Sequence, residues 1–217
     1  MKDLKIKFVI GFVIFTFLYS CSISDGEPKE EKPYYSFKTD DQPFLLNNYN
    51  NPLMRLVFKN QENAELSFIF KNFEQYKEAY IPLGGGFGPV WGPASIAFYY
   101  DVRRFDFKFE QFQEPLADLE FYFSRFSDTL RGGIQFPLWN IDKYYLSSEP
   151  IDFAITKFAI TINGVTYNDV IKINSGETSE EYMIGPFPRN VNVLYYDLRF
   201  GLIGFDDLHG GEWRLQQ

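Results

Sequence analysis

The chain has 217 residues, 45% of them hydrophobic and 23% charged, a balance that supports a packed core and excludes wholesale disorder. Its formal net charge of −8 repels phosphate backbones, which counts against nucleic-acid binding and against polybasic docking on anionic lipid. A single cysteine and a single histidine exclude an internal disulfide and any cysteine-based zinc site.

Aromatic residues make up 20% of the chain, with 25 Phe and 15 Tyr. Such side chains lose rotamer freedom in a helix and fit the pleated, half-buried surface of a sheet, so composition leans towards β.

In chain order, Met1 to Lys7 is a basic opening, and the uncharged run Phe8 to Ser20 follows it. As a helix that run spans about 20 Å, short of a bilayer hydrocarbon core of about 30 Å, and it matches the apolar region of a signal peptide. Cys21 comes next, then a polar, proline-containing stretch to Pro33 that reads as a flexible tether. Without residues 1–20 the chain loses three Lys and one Asp and carries a formal −10.

Leu18-Tyr19-Ser20-Cys21 resembles the lipobox of bacterial lipoproteins, with Tyr19 standing where a small residue is usual. The resemblance implies cleavage before Cys21 and two or three acyl chains, palmitate among them, on that cysteine. More than one chain is what stable anchoring takes, because each buried CH₂ contributes only about 0.8 kcal/mol. The acidic cluster Ser24-Asp25-Gly26-Glu27 with Glu30-Glu31 resembles the surface-export signal of Bacteroidota-type lipoproteins, and reads equally well as a solvated linker. Ser22 is not the Asp that retains many lipoproteins at the inner membrane. The expected location is therefore the outer membrane, on its periplasmic face or at the cell surface. The expected organisation is a signal peptide at 1–20, a lipidated cysteine and tether at 21–33, and a single β-rich domain at 34–217.

From residue 34 the apolar pattern has period two. Phe105-Asp-Phe-Lys-Phe-Glu110 alternates strictly and Leu119 to Phe123 repeats the design. Leu53 to Phe58, Glu65 to Phe70, Ser95 to Tyr100 and Asp152 to Ile162 are further strand candidates. Asn163-Gly164 between alternating runs predicts a type I′ hairpin, since both central residues need positive φ. Phe200 to Phe205, a polar turn and Trp213 to Leu215 predict a second hairpin. Only Asn72 to Tyr80, with Phe73, Tyr76, Lys77 and Tyr80, has helical spacing. The expected fold is all-β and mainly antiparallel: a curved sheet, half-barrel or sandwich with at most one or two short helices.

The stretch Phe158 to Leu215 is similar to the closing segment of many uncharacterised Bacteroidota-type outer-membrane or surface lipoproteins. The matching parts are Asn163-Gly164, Tyr195-Tyr196, Gly201-Leu202-Ile203-Gly204-Phe205 and Trp213-Arg214-Leu215, with Arg199 where those relatives often carry glycine. The resemblance supports the compartment and implies no activity.

Candidate sites are few. The glycine-rich run Gly84 to Pro93 lacks the Gly-Lys-Ser/Thr of a phosphate-binding loop; it reads as a bent connection, or as a loop presenting Phe87 and Trp91 to a ligand. Trp139, Tyr144 and Tyr145, among Asn140 and Asp142, are aromatic and polar neighbours of the kind carbohydrate sites use. His209 sits in a turn sequence, Asp206 to Gly211, and no metal site or catalytic triad is expected from it. Asp106 and Glu110 share a strand face with Lys108 between them, which points to a solvated charge ladder rather than a glycosidase pair. Asp128-Thr129-Leu130 resembles the short O-glycosylation acceptor of the same bacteria. With no convergent catalytic set, no cofactor and no metal site expected, the reading is a membrane-anchored envelope lipoprotein whose β domain binds a protein, glycan or apolar partner. The alternative is a carboxylate-dependent glycan hydrolase.

Overall fold

Phe105, Phe107 and Phe109 are fully buried, and the intervening Lys108 is not, so the strict alternation of this run decides which face of its strand meets the core. The computed structural model describes residues 31–82, 95–112, 118–140, 148–176, 182–184 and 186–216. By contacts the chain divides into Met1–Lys32 and Pro33–Gln217, and the latter holds all the elements below.

The strands are β1 Tyr34–Tyr35, β2 Arg55–Lys59, β3 Glu65–Tyr80, β4 Phe98–Phe109, β5 Asp118–Phe126, β6 Thr129–Gln135 and β7 Glu149–Ile151. They continue as β8 Phe158–Ile162, β9 Val165–Asn174, β10 Tyr182–Ile184, β11 Phe187–Arg189, β12 Val191–Asp197, β13 Gly201–Asp207 and β14 Glu212–Gln216. Twelve of them form one curled half-barrel sheet in the order β7-β6-β5-β4-β3-β2-β14-β13-β12-β9-β8, with β1 added in parallel at the start of β4. All other ladders in this sheet are antiparallel, and β10 and β11 pair separately.

Among the described residues, helical structure is confined to two short 3-10 turns, Thr39–Phe44 and Asn47–Tyr49. They deliver Leu45, Leu46 and Tyr49 into the core, where the Tyr49 ring meets Phe105, Phe107 and Phe121 edge-on at 5.3–6.0 Å between centroids. Such pairs contribute about 0.5–1.5 kcal/mol each beyond the area they bury. A buried ion pair, Arg125 to Asp41 at 3.0 Å, pins this segment to β5. After β6 the chain crosses the core through Phe136, Leu138 and Trp139, and meets β12, where Asn140 N–H donates to Val191 O at 2.8 Å.

The helix expected at Asn72 to Tyr80 is not formed. These residues are the outer half of β3, paired with β4 from Phe73↔Phe105 to Tyr80↔Phe98. A register shift at Lys71 changes which residues face inward, and beyond it both faces carry aromatic rings. Phe73 packs on Phe105 at 5.0 Å, and Tyr80 stacks on Phe98 at 4.8 Å. Cross-strand aromatic pairing outweighs local helical spacing here. The candidate Asp152 to Ile162 is also shorter than expected. Its first half is a turn in which Asp152 Oδ1 accepts from Ala154 N–H at 2.9 Å, and the strand begins at Phe158.

The Asn163-Gly164 hairpin has φ of 50° and 82° at its two central residues, as a type I′ turn requires. Asn163 Nδ2 donates to Leu215 O at 2.9 Å and ties the hairpin tip to β14. Ile162, Tyr167, Val170 and Ile203 form a second, smaller core there, separate from the main aromatic one.

Candidate functional site

The β13–β14 hairpin supplies an aromatic surface that borders a cavity. Phe205 on β13 is fully buried, and Trp213 on β14 stacks on it at 5.6 Å with 15° between the ring planes. The Trp213 indole Nε1–H donates to Asp207 Oδ2 at 3.0 Å. Asp207 Oδ1 accepts from the backbone N–H groups of His209, at 2.9 Å, and Gly211, at 2.8 Å. The turn sequence Asp-Leu-His-Gly-Gly therefore closes on its own aspartate, with Gly210 at φ 82°. A Cβ on Gly211 would sit 2.2 Å from Asp207 Oδ2, so glycine lets the carboxylate approach.

In front of Trp213 lies a pocket of about 410 Å³, walled by Leu66, Leu138, Phe187, Phe205 and Trp213, with Asn190, Glu65 and Asp207 at its polar positions. The walls come from β3, the crossing segment, β11, β13 and β14, so sheet topology rather than a local motif assembles them. Its size lies in the range of small-ligand sites, about 300–1,000 Å³, and apolar walls with few polar groups are typical of them. Stacking and the tie to Asp207 fix the indole before any ligand arrives, which lowers the ordering cost of binding.

A wider groove of about 630 Å³ runs beside β6 and β7, bounded by Tyr122, Leu130, Ile151 and Phe153. It is more open than the Trp213 pocket. Gly132 and Gly133 at its floor are held to glycine by contact, since a Cβ there would meet the Phe153 ring at 2.9 Å and Ser148 Oγ at 2.4 Å.

Carboxylates gather on the opposite face of the sheet. Asp106 and Glu120 are direct partners across β4 and β5, and Arg104 binds both, at 2.9 Å and 2.8 Å. Burial raises the Glu120 pKa above the ordinary range; Arg104 opposes this, and Asp106, Asp118 and Glu74 add to the rise. Glu110 is engaged elsewhere, by Ser67 Oγ at 2.6 Å and Arg55 at 2.7 Å, which hold its pKa low. Asp106 and Glu110 thus have separate partners and do not act as a facing pair. Among the described residues, no three His, Cys, Asp or Glu side chains converge as metal ligands.

Of the residues singled out in the sequence, Cys21, Trp91, Tyr144 and Tyr145 lie outside the described residues, as does the glycine-rich run. Trp139 is 1% exposed and belongs to the main core, so its ring offers no open face to a sugar. Asp128 occupies the β5–β6 turn, where it pairs with Lys38 at 2.8 Å, and Thr129 beside it is exposed. Sequence reasoning missed Phe187 and Leu138 as pocket walls. Trp213 was legible only as part of the closing segment.

No protein-family model matches the chain, and neither does any curated protein or solved structure.

Proposed function

We propose that this protein is a lipoprotein of the bacterial envelope, anchored through Cys21, whose β domain binds an apolar or aromatic group in the Trp213 pocket without acting on it. The anchor part rests on the basic opening, the short apolar run and Leu18-Tyr19-Ser20-Cys21. The binding part rests on one observation: the pocket is walled by fixed apolar and aromatic side chains, and the Asp207 carboxylate beside it already accepts three internal donors. A carboxylate committed to three N–H groups is a structural acceptor rather than a free base.

The test is native mass spectrometry of the chain purified from its own membrane, beside a Trp213→Ala variant. A bound lipid, glycan or other small molecule that Trp213→Ala loses supports the reading. The same adduct retained by the variant, or a clean unliganded mass for both, counts against the pocket. The anchor is tested by replacing Cys21 with Ala; unchanged membrane retention would remove it.

The alternative, a glycan hydrolase using Asp106 and Glu120, draws on their facing positions and the raised pKa of Glu120. Against it stands Arg104, which engages both carboxylates at once. Turnover of a bacterial or host glycan that disappears in Glu120→Gln would favour this second reading.

A further inference from the structure

Among the described residues, β7 and β8 are the end strands of the half-barrel with no strand paired on their outer side, and the sequence treats them differently. β7 is three residues long and contains Glu149 and Pro150, a charge and a missing N–H that both discourage strand addition. β8 is Phe158-Ala-Ile-Thr-Ile162, five residues with no charge and no proline. An uncharged, β-branched edge is a template for another strand.

Register identifies the groups on offer. The two-residue turn makes Ile162↔Val165 a hydrogen-bonded pair, so Thr161↔Thr166 is a non-hydrogen-bonded pair and Ile160↔Tyr167 is hydrogen-bonded again. The 3.1 Å contact between the Thr161 and Thr166 hydroxyls fits the closer approach of a non-hydrogen-bonded pair. The backbone N–H and C=O of Thr161 therefore point away from β9. Those of Ala159 do so too, because the register shift between Phe158 and Ile160 places its extra residue in β9 and leaves the alternation along β8 unchanged. Both residues are exposed, and among the described residues these groups have no backbone partner.

We propose that β8 is the interface between two copies of this chain, paired antiparallel about a two-fold axis at Ile160. In that register Ala159 forms a reciprocal hydrogen-bonded pair with Thr161 of the partner subunit, and Thr161 with Ala159 of the partner subunit. The outward-facing residues thus satisfy one another, as a symmetric interface demands. On one face, Ile160 meets Ile160 of the partner subunit and Phe158 meets Ile162 of the partner subunit. This covers Phe158, which is 39% exposed in the single chain. Lys157 falls opposite Asn163 of the partner subunit, so no like charges oppose each other although the chain is acidic overall. An unrelated extended peptide would satisfy the backbone groups but would not supply this self-match.

The test is sedimentation of the full chain in density-matched detergent over a range of concentrations. The expected result is a reversible dimer. Thr161→Pro, which removes an outward N–H and leaves the β8–β9 ladder intact, should weaken it at least tenfold, while Thr161→Val should not. Should Thr161→Pro fail to fold, Ile160→Cys in a Cys21→Ala background decides the matter. The paired Cα atoms would lie about 4.5 Å apart, within disulfide range, so oxidation should link two chains, whereas Thr166→Cys one strand inward should not. A chain that stays monomeric, or a dimer that Ile160→Cys does not cross-link, overturns the proposal.

Discussion

Tyr49 and Gly201 are in such close contact that a Cβ on Gly201 would lie 2.4 Å from Tyr49 Oη. That hydroxyl donates to Phe200 O at 2.7 Å, and Gly201 itself has φ of 79°. Glycine is required here twice over, for backbone conformation and for space. Gly201→Ala is expected to cost about 2–4 kcal/mol, and Tyr49→Phe, which removes the donor to Phe200 O, about 1 kcal/mol. Denaturant melts of the two single variants and the double will check this. The double variant should stay well below wild type, because removing the hydroxyl takes away only the closest contact and leaves both the φ strain and the ring carbon Cζ 2.9 Å from the added Cβ.

Gly164 is the complementary case. Its φ is 82°, yet nothing lies within 4 Å of an added Cβ. Gly164→Ala should therefore cost only the backbone term, about 1 kcal/mol, and leave the β8–β9 register unchanged. Asn163→Ala should cost a similar amount, chiefly through the lost bond to Leu215 O. Thermal unfolding followed by circular dichroism measures both.

In the Arg125–Asp41 pair the carboxylate is buried and the guanidinium nearly so, with side-chain exposures of 7% and 11%. Asp41→Ala leaves the Arg125 guanidinium with only its longer, exposed contact to Asp128 at 3.4 Å and is expected to destabilise by about 3 kcal/mol. The double change Asp41→Leu with Arg125→Met should cost much less, since it removes the need for a counter-charge. Equal losses from the single and double changes would show that the 3-10 segment depends on something other than this pair.

Glu120 has a folded-state pKa above its ordinary value, so the folded chain holds that proton to higher pH than the unfolded chain does. Stability from this group is present at low pH and falls as pH rises through the carboxylate range. Glu120→Gln cannot ionise. The difference in Tm between Glu120→Gln and wild type should therefore move in favour of the variant between pH 4 and pH 7. A difference that is flat with pH, or moves the other way, would contradict the assignment.

Much of the fold is legible along the chain because period-two burial is a local signal. Phe105, Phe107, Phe109, Phe121 and Phe123 announce their faces, and Asn163-Gly164 announces its turn. The outer half of β3 is not legible for a physical reason. Past the shift at Lys71 both faces of the strand carry aromatic rings, so Phe73, Tyr76, Lys77 and Tyr80 mimic a helix stripe while β4 holds them extended. The 3-10 segment that buries Leu45, Leu46 and Tyr49 has no periodic signature either. The pocket is the least legible feature of all. Leu66, Leu138, Phe187 and Trp213 are far apart in sequence and meet only because the sheet curls.

β14 is the seam of the sheet. It pairs with β2 on one side and β13 on the other, and so joins the run β7 to β2 to the run β13 to β8. Until Glu212–Gln216 has emerged, the hydrogen-bonded ladder between these runs is open, and only core packing and the crossing segment at Leu138 to Asn140 hold them together. Such long-range closure is slow compared with local pairing. The ribosome would therefore handle a chain with an unclosed sheet almost to residue 216, and a chain cut short before Glu212 should be met by proteases as an open substrate rather than as a slightly smaller domain.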